Sequence, residues 1–256
     1  MKIALASDLH LHFGGIVLDN EQDADILILA GDIYEAADLP GPTLKSHSVR
    51  TFFLDVAKKF KQVFWVAGNH EHYGSSSKET HSIIRRWLAE DSRLSNVRFL
   101  EKEYVDFDGV RILGTTLWSN MKNRDPLVMH NARAGMLDYA KILDWAPIIE
   151  ADEFDRSLAW LESSINKEKK NIVVTHHHPC WKSIQPHYRT GLLQYNFFSE
   201  LSDWILDRPE IKVWCCGHIH DNISYNVGEC NILCNPRGYH GYESRTGNFE
   251  LVYFEA

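Results

Sequence analysis

The stretch Val213-Trp214-Cys215-Cys216-Gly217-His218-Ile219-His220 joins an apolar run to a block with two imidazoles. A continuous apolar run of four or five residues suits a strand buried on both faces. The same grammar recurs along the chain. Residues 3–6 precede Asp8-Leu9-His10-Leu11-His12, and residues 26–30 precede Gly31-Asp32. Residues 63–67 precede Gly68-Asn69-His70-Glu71-His72, and residues 172–174 precede His176-His177-His178-Pro179. Residues 110–113 form one more such run. Of the 14 histidines, nine fall in these blocks.

Helical stripes lie between the runs. Val49, Phe52, Phe53, Val56 and Phe60 repeat at spacings of three and four. Ile83, Ile84, Trp87 and Leu88 form a second stripe, Phe154, Leu158, Leu161 and Ile165 a third, and Phe197, Phe198, Leu201, Trp204 and Ile205 a fourth. Each predicts an amphipathic helix facing the core. After Cys216 the segments 223–227, 232–234 and 249–254 are separated only by Gly and Asn turns, which predicts a β meander. Strands alternating with helices first and strands alone later predict an α/β (α+β) chain with a mixed sheet layer rather than a purely doubly wound fold. Residues 1–256 read as a single domain. The segment 119–150 has the least regular pattern and is expected to be a cap-like insertion over a site.

Composition narrows the classes. The chain has 256 residues, 44% hydrophobic and 24% charged, which excludes a disordered tail and a collagen-like rod. With 35 acidic and 27 basic residues the formal net charge is −8, which argues against a nucleic-acid coat. Five cysteines, an odd number, with no Cys-x-x-Cys pair, point to a reducing compartment. The early carboxylate Asp8 does not fit a signal-peptide core, and no apolar run reaches the ~20 residues that span a bilayer. The expectation is a cytoplasmic protein without a membrane span.

In a largely parallel sheet, residues just past the strand ends gather at one edge, where ligands bind. The five polar blocks therefore converge. They offer the carboxylates of Asp8 and Asp32, the imidazoles of His10, His176 or His177, His218 and His220, and the amide oxygen of Asn69. Seven donors exceed one tetrahedral ion and suit two ions sharing a carboxylate. The mixture of imidazole and oxygen suits Mn, Fe or Zn.

Asp-x-His, Gly-Asp, Gly-Asn-His-Glu, a His block after a strand and Gly-His-x-His, in that order, resemble the calcineurin-like metallophosphoesterase superfamily. The resemblance spans residues 8 to 220. It implies a central β-sandwich of two mixed sheets flanked by helices. It also implies metal-dependent hydrolysis of phosphomonoesters or phosphodiesters by a hydroxide bridging two ions. By motif, Asp8, His10 and His220 would hold one ion, and Asn69, His218 and a histidine of the 176–178 block the other. Asp32 would bridge them. His70 would be the catalytic histidine near the phosphate, and Glu71 would orient its loop. The strand end favours His176 as the ligand, and the proline favours His177. His178 and Arg237, the latter within Asn235-Pro236-Arg237-Gly238-Tyr239, are candidate substrate contacts, as are His130, Arg133 and His187 on a substrate wall. Glu35 stands where the ferric-tyrosinate relatives carry tyrosine, so the expected cofactor is a pair of divalent ions, Mn²⁺ first, with Fe²⁺ or Zn²⁺ as alternatives. The expected substrate is a small-molecule phosphate ester or a phosphoprotein. A catalytically silent scaffold for protein interaction and a nuclease are the rival readings.

Overall fold

The computed structural model describes residues 1–189 and 191–256, and the side chains of residues 187 and 245 lie outside that description. Eleven strands appear among the described residues: β1 (Lys2–Ala6), β2 (Ile26–Ala30), β3 (Gln62–Val66), β4 (Val97–Phe99), β5 (Glu103–Phe107), β6 (Val110–Gly114), β7 (Lys170–Val174), β8 (Ile211–Cys216), β9 (Ile223–Val227), β10 (Cys230–Cys234) and β11 (Val252–Glu255). They form two mixed sheets, ordered β11-β1-β2-β3-β4 and β5-β6-β7-β8-β10-β9. β1, β2, β3 and β4 pair in parallel in the first sheet, and β6, β7, β8 and β10 in the second.

The apolar runs are continuous because each strand serves two cores. Side chains alternate across a strand. On β2, Ile26, Ile28 and Ala30 face the space between the sheets, with Ile3, Leu5, Phe64, Ile112, Ile172 and Val213. Leu27 and Leu29 point the other way, onto Val49, Phe53, Ile84 and Trp87. Those residues come from helices Leu44–Lys59 and Ser77–Ala89; the second begins in a capping box between Ser76 and Glu79. Helix Pro147–Ser164 covers the outer face of the second sheet through Phe154 and Leu161. The architecture is α/β (α+β): two mixed sheets packed face to face and flanked by helices.

Three local readings change. The predicted meander is only the antiparallel hairpin β9–β10; β11 crosses to the other sheet and pairs with β1. Burial decides this, because Ala4 and Leu5 need a partner on that edge. The stripe at 197–205 yields a helix only over Ser202–Leu206, since Phe198 turns aside to pack with Ile184 and Ile219. The segment 119–150 contains helices Pro126–Gly135 and Asp138–Lys141, with Met121, Val128, Ala132 and Ala151 forming a small core of their own. Among the described residues, no helix is long and apolar enough to cross a membrane.

Candidate active site

β1, β2, β3, β7 and β8 all end at one edge, and the loops beyond them are tied across it. Asp8 N donates to Gly31 O and His10 N to Asp32 O, both at 2.9 Å. His218 N donates to both carboxylate oxygens of Asp8, at 2.9 and 3.1 Å. Asp8, His10, Asp32 and His218 adopt left-handed backbone, with φ of 50°, 42°, 56° and 69°. Such conformations in non-glycine residues cost free energy and gather at functional sites. The chains approach so closely that a Cβ on Gly68 would meet the Asp32 carboxylate and His176, and one on Gly217 would meet Ala30 O and Asp8.

Of four donor clusters among the described residues, two combine imidazole with carboxylate. Asp8, His10 and His220 bring one ligand atom each within 4.8 Å of one another, and so do Asp32, His176 and His218. The Asp32 carboxylate lies between them. Its Oδ2 is 3.7 Å from His10 Nε2, and its Oδ1 is 3.5 Å from His176 Nε2. Asn69 Oδ1 joins the second cluster, 3.1 Å from His176 Nε2. His10 Nε2 and His220 Nε2 face each other at 3.2 Å, and His218 Nε2 is buried without a hydrogen-bond partner. Imidazole nitrogens, carboxylates and an amide oxygen converging in this way form a donor set that fits divalent metal ions.

The electrostatics agree. Burial raises the Asp8 carboxyl, against the pull of His176 and His220. Burial acts on Asp32 in the same direction, but His176, His70 and His10 outweigh it and hold Asp32 well below the usual carboxylate range. Burial works against a charged His176, yet Asp32 and Asp8 lift it to about 10. Burial lowers His10 and His218 well below the ordinary imidazole value, keeping them neutral. Neutral imidazoles and ionised carboxylates are the ligand forms a cation needs, so binding would displace any proton held on Asp8 or His176.

Outer partners hold the donors in place. His176 Nδ1 lies 2.9 Å from Ala30 O, which turns Nε2 inward. Asn69 Nδ2 donates to Asp138 Oδ1 at 2.8 Å, leaving its oxygen facing His176. Tyr73 OH donates to the same Asp138 oxygen, also at 2.8 Å. His220 Nδ1 is 2.6 Å from Glu243 Oε1. A carboxylate behind a ligating imidazole fixes its tautomer and raises its basicity. Glu243→Gln is therefore expected to weaken metal binding by about 10–100-fold. A metal titration of the variant that matches the parent chain would contradict this.

Glu71 is fully buried and accepts from Asp32 N, Ile33 N, Gly68 N and Trp65 Nε1, at 2.9, 2.7, 2.7 and 3.2 Å. It ties the loop after β2 to the loop after β3. Glu71→Ala strands those donors, and we expect a loss of about 3 kcal/mol in chemical denaturation. A loss below about 1 kcal/mol would mean the loops hold without it.

The family profile of the calcineurin-like phosphoesterases matches residues 1–222, the span that contains all of these donors. The chain belongs to the calcineurin-like phosphoesterase family. That family uses divalent metals. An uncharacterized protein of Acanthamoeba polyphaga mimivirus is 26% identical over 269 residues, covering 91% of this chain and 89% of its own. The crystal structure of phosphopantetheinyl hydrolase from Mycobacterium tuberculosis superposes with a TM-score of 0.71. It is 17% identical, with 98% of this chain and 95% of that chain covered, a likeness of fold.

The fold places the sequence-predicted residues unevenly. Asp8, His10, Asp32, Asn69, His176, His218 and His220 come together. His70 stands beside them, its Nε2 3.9 Å from Asp32 Oδ2 and its ring stacked on Tyr73. His177 is not in either cluster: it is buried and packs against Trp118 and His218. Arg237 requires a correction. It is only 2% exposed and donates to the carbonyls of Leu9, Gly14 and Gly15, at 3.1, 2.6 and 3.1 Å. Its guanidinium therefore clamps the loop after β1, and Arg237 is not among the residues lining the cavity. His178 is corrected likewise, being fully buried with Nδ1 3.2 Å from Cys216 Sγ. His130 and Arg133 are exposed on helix Pro126–Gly135 and do not line the cavity, and the His187 side chain lies outside the described residues.

A cavity of about 520 Å³ opens over the cluster, and Asp32, Asn69, His70, His218 and His220 are among its lining. Sequence reasoning missed Tyr239, whose OH is 3.4 Å from His70 Nε2, and His12, whose ring stacks over His70. It also missed Asp138 and Glu243. Tyr239 and His12 stand in or beside motifs already singled out, but Asp138 and Glu243 carry no local signal.

Proposed function

We propose that this chain is a dinuclear-metal phosphoric ester hydrolase acting on phosphomonoesters or phosphodiesters in the cytoplasm. In this reading, 1–256 is one catalytic domain and 119–150 caps the site. Asp8, His10 and His220 hold one ion. Asn69, His176 and His218 hold the other, and Asp32 serves both. The single observation that carries the reading is the Asp32 carboxylate, with one oxygen toward each histidine cluster. A pair of divalent ions supplies Lewis acidity toward the phosphoryl oxygens and lowers the pKa of water towards neutrality. The chain's own residues do the rest. The closely packed strand-end loops hold the donors rigidly, so little reorganisation accompanies reaction. His70, steadied by Tyr73 and Tyr239, delivers a proton from Nε2 to the departing ester oxygen. Ligand type does not choose among Mn²⁺, Fe²⁺ and Zn²⁺, and Mn²⁺ is our first choice.

The intact donor set weighs against a silent scaffold, and the net charge of −8 weighs against a nuclease. The test is hydrolysis of an aryl phosphomonoester and an aryl phosphodiester by chelator-stripped protein before and after Mn²⁺ is returned. Turnover that is abolished and restored supports the reading. Equal turnover with and without metal, or none with it, contradicts it.

A further inference from the structure

We propose that the ester accepted at this site carries an apolar organic group, an aryl ring or a hydrocarbon segment, seated against the cap side of the cavity. This rests on the phosphoesterase reading above. The cavity has two chemically distinct kinds of lining. One is the donor cluster. The other is apolar and comes from Met136 and Leu137 of the 119–150 segment and from Tyr188, Phe197 and Ile219 of the second sheet's loops, while Tyr239 joins both, its ring 4.5 Å from that of His10. Among the described residues lining the cavity, none is lysine or arginine, and its carboxylates are Asp32 and Glu243. Glu243 is engaged with His220 and Tyr239 N. A polyphosphate chain or a nucleic-acid backbone would bring extra anionic oxygens against apolar walls with no cation to meet them. An apolar group would instead cover surface that water now wets, at about 25 cal/mol per Å².

Leu137 is 64% exposed and lies at the cavity mouth rather than singly on an outer face. Phe13, 38% exposed, packs on the lining residue Tyr239 with ring centroids 5.0 Å apart. Apolar side chains left open around a concave polar site mark a ligand surface.

Non-hydrolysable phosphonates test this without turnover. Manganese-loaded protein is titrated calorimetrically with methylphosphonate, phenylphosphonate and hexylphosphonate, and hydrolysis of the matching esters is assayed in parallel. We expect phenyl or hexyl phosphonate to bind at least about tenfold tighter than methyl, and Leu137→Asp to erase most of that preference while Leu137→Met keeps it. The phenyl and hexyl arms separate ring from chain. Equal binding of all three, with hydrolysis present, would overturn the apolar wall and leave the enzyme reading standing. A preference for the apolar phosphonates without hydrolysis of any ester would support the wall and overturn the enzyme reading. A preference unchanged in Leu137→Asp would also overturn the proposal.

Discussion

Asp32→Ala is expected to reduce bound manganese from two ions per chain to fewer than one and to cut turnover by at least about 10³-fold. The reason is geometric. Asp32 alone places one oxygen toward His10 and the other toward His176, so its removal takes a ligand from both clusters at once. It also removes the carboxylate closest to His10 and His176, leaving Asp8 as the remaining negative charge, and the two ions proposed above would repel with less charge between them. The fold should survive. The backbone N atoms of residues 32 and 33 still donate to Glu71, so the loops stay tied even though the bond from His70 N to Oδ1 is lost. Metal analysis beside steady-state assays reads both effects. Two ions retained with normal turnover would remove Asp32 from the bridging role.

His70→Ala should keep both ions and lose about 10²–10⁴-fold in kcat. Metal is retained because of which atoms are engaged. The His70 backbone N donates to Asp32 Oδ1 at 2.9 Å, and alanine preserves that bond. Only the imidazole is lost, and with it the proton at Nε2 beside Tyr239. A leaving-group series separates proton delivery from mere packing. If His70 protonates the departing oxygen, the loss is small for a nitrophenyl ester, whose leaving group needs no proton, and large for an alkyl ester. A uniform loss across the series would assign His70 to positioning, and an unchanged kcat would remove it from the reaction.

Much of the fold, and the convergence of the polar blocks at one edge, was legible because both depend on local chemistry. A five-residue apolar run can be satisfied only by burial on two faces, and β1, β2, β3, β6, β7 and β8 fall where such runs occur. Residues just past a strand end must lie at the sheet edge, so Asp8, Asp32, Asn69, His176, His218 and His220 were within reach of sequence. β4 and β5 were not. β4 has three residues, with Arg98 exposed in the middle, and β5 is an edge strand with little burial, so neither carries a pattern. The destination of β11 was invisible because pairing with β1 is decided by which edge remains open. Arg237 misled because an arginine near a phosphate site looks like an anion contact, whereas the tight loop after β1 presents three carbonyls that its guanidinium satisfies. Asp138 and Glu243 hold Asn69 and His220 in place, and no spacing in the chain announces such long-range pairing.

Electron paramagnetic resonance of the manganese-loaded chain tests the central claim most directly. Two ions held on either side of the Asp32 carboxylate should titrate to two per chain and give the spectrum of an exchange-coupled pair, and that coupling should vanish in Asp32→Ala. One ion per chain, or two that behave as isolated centres, would contradict it.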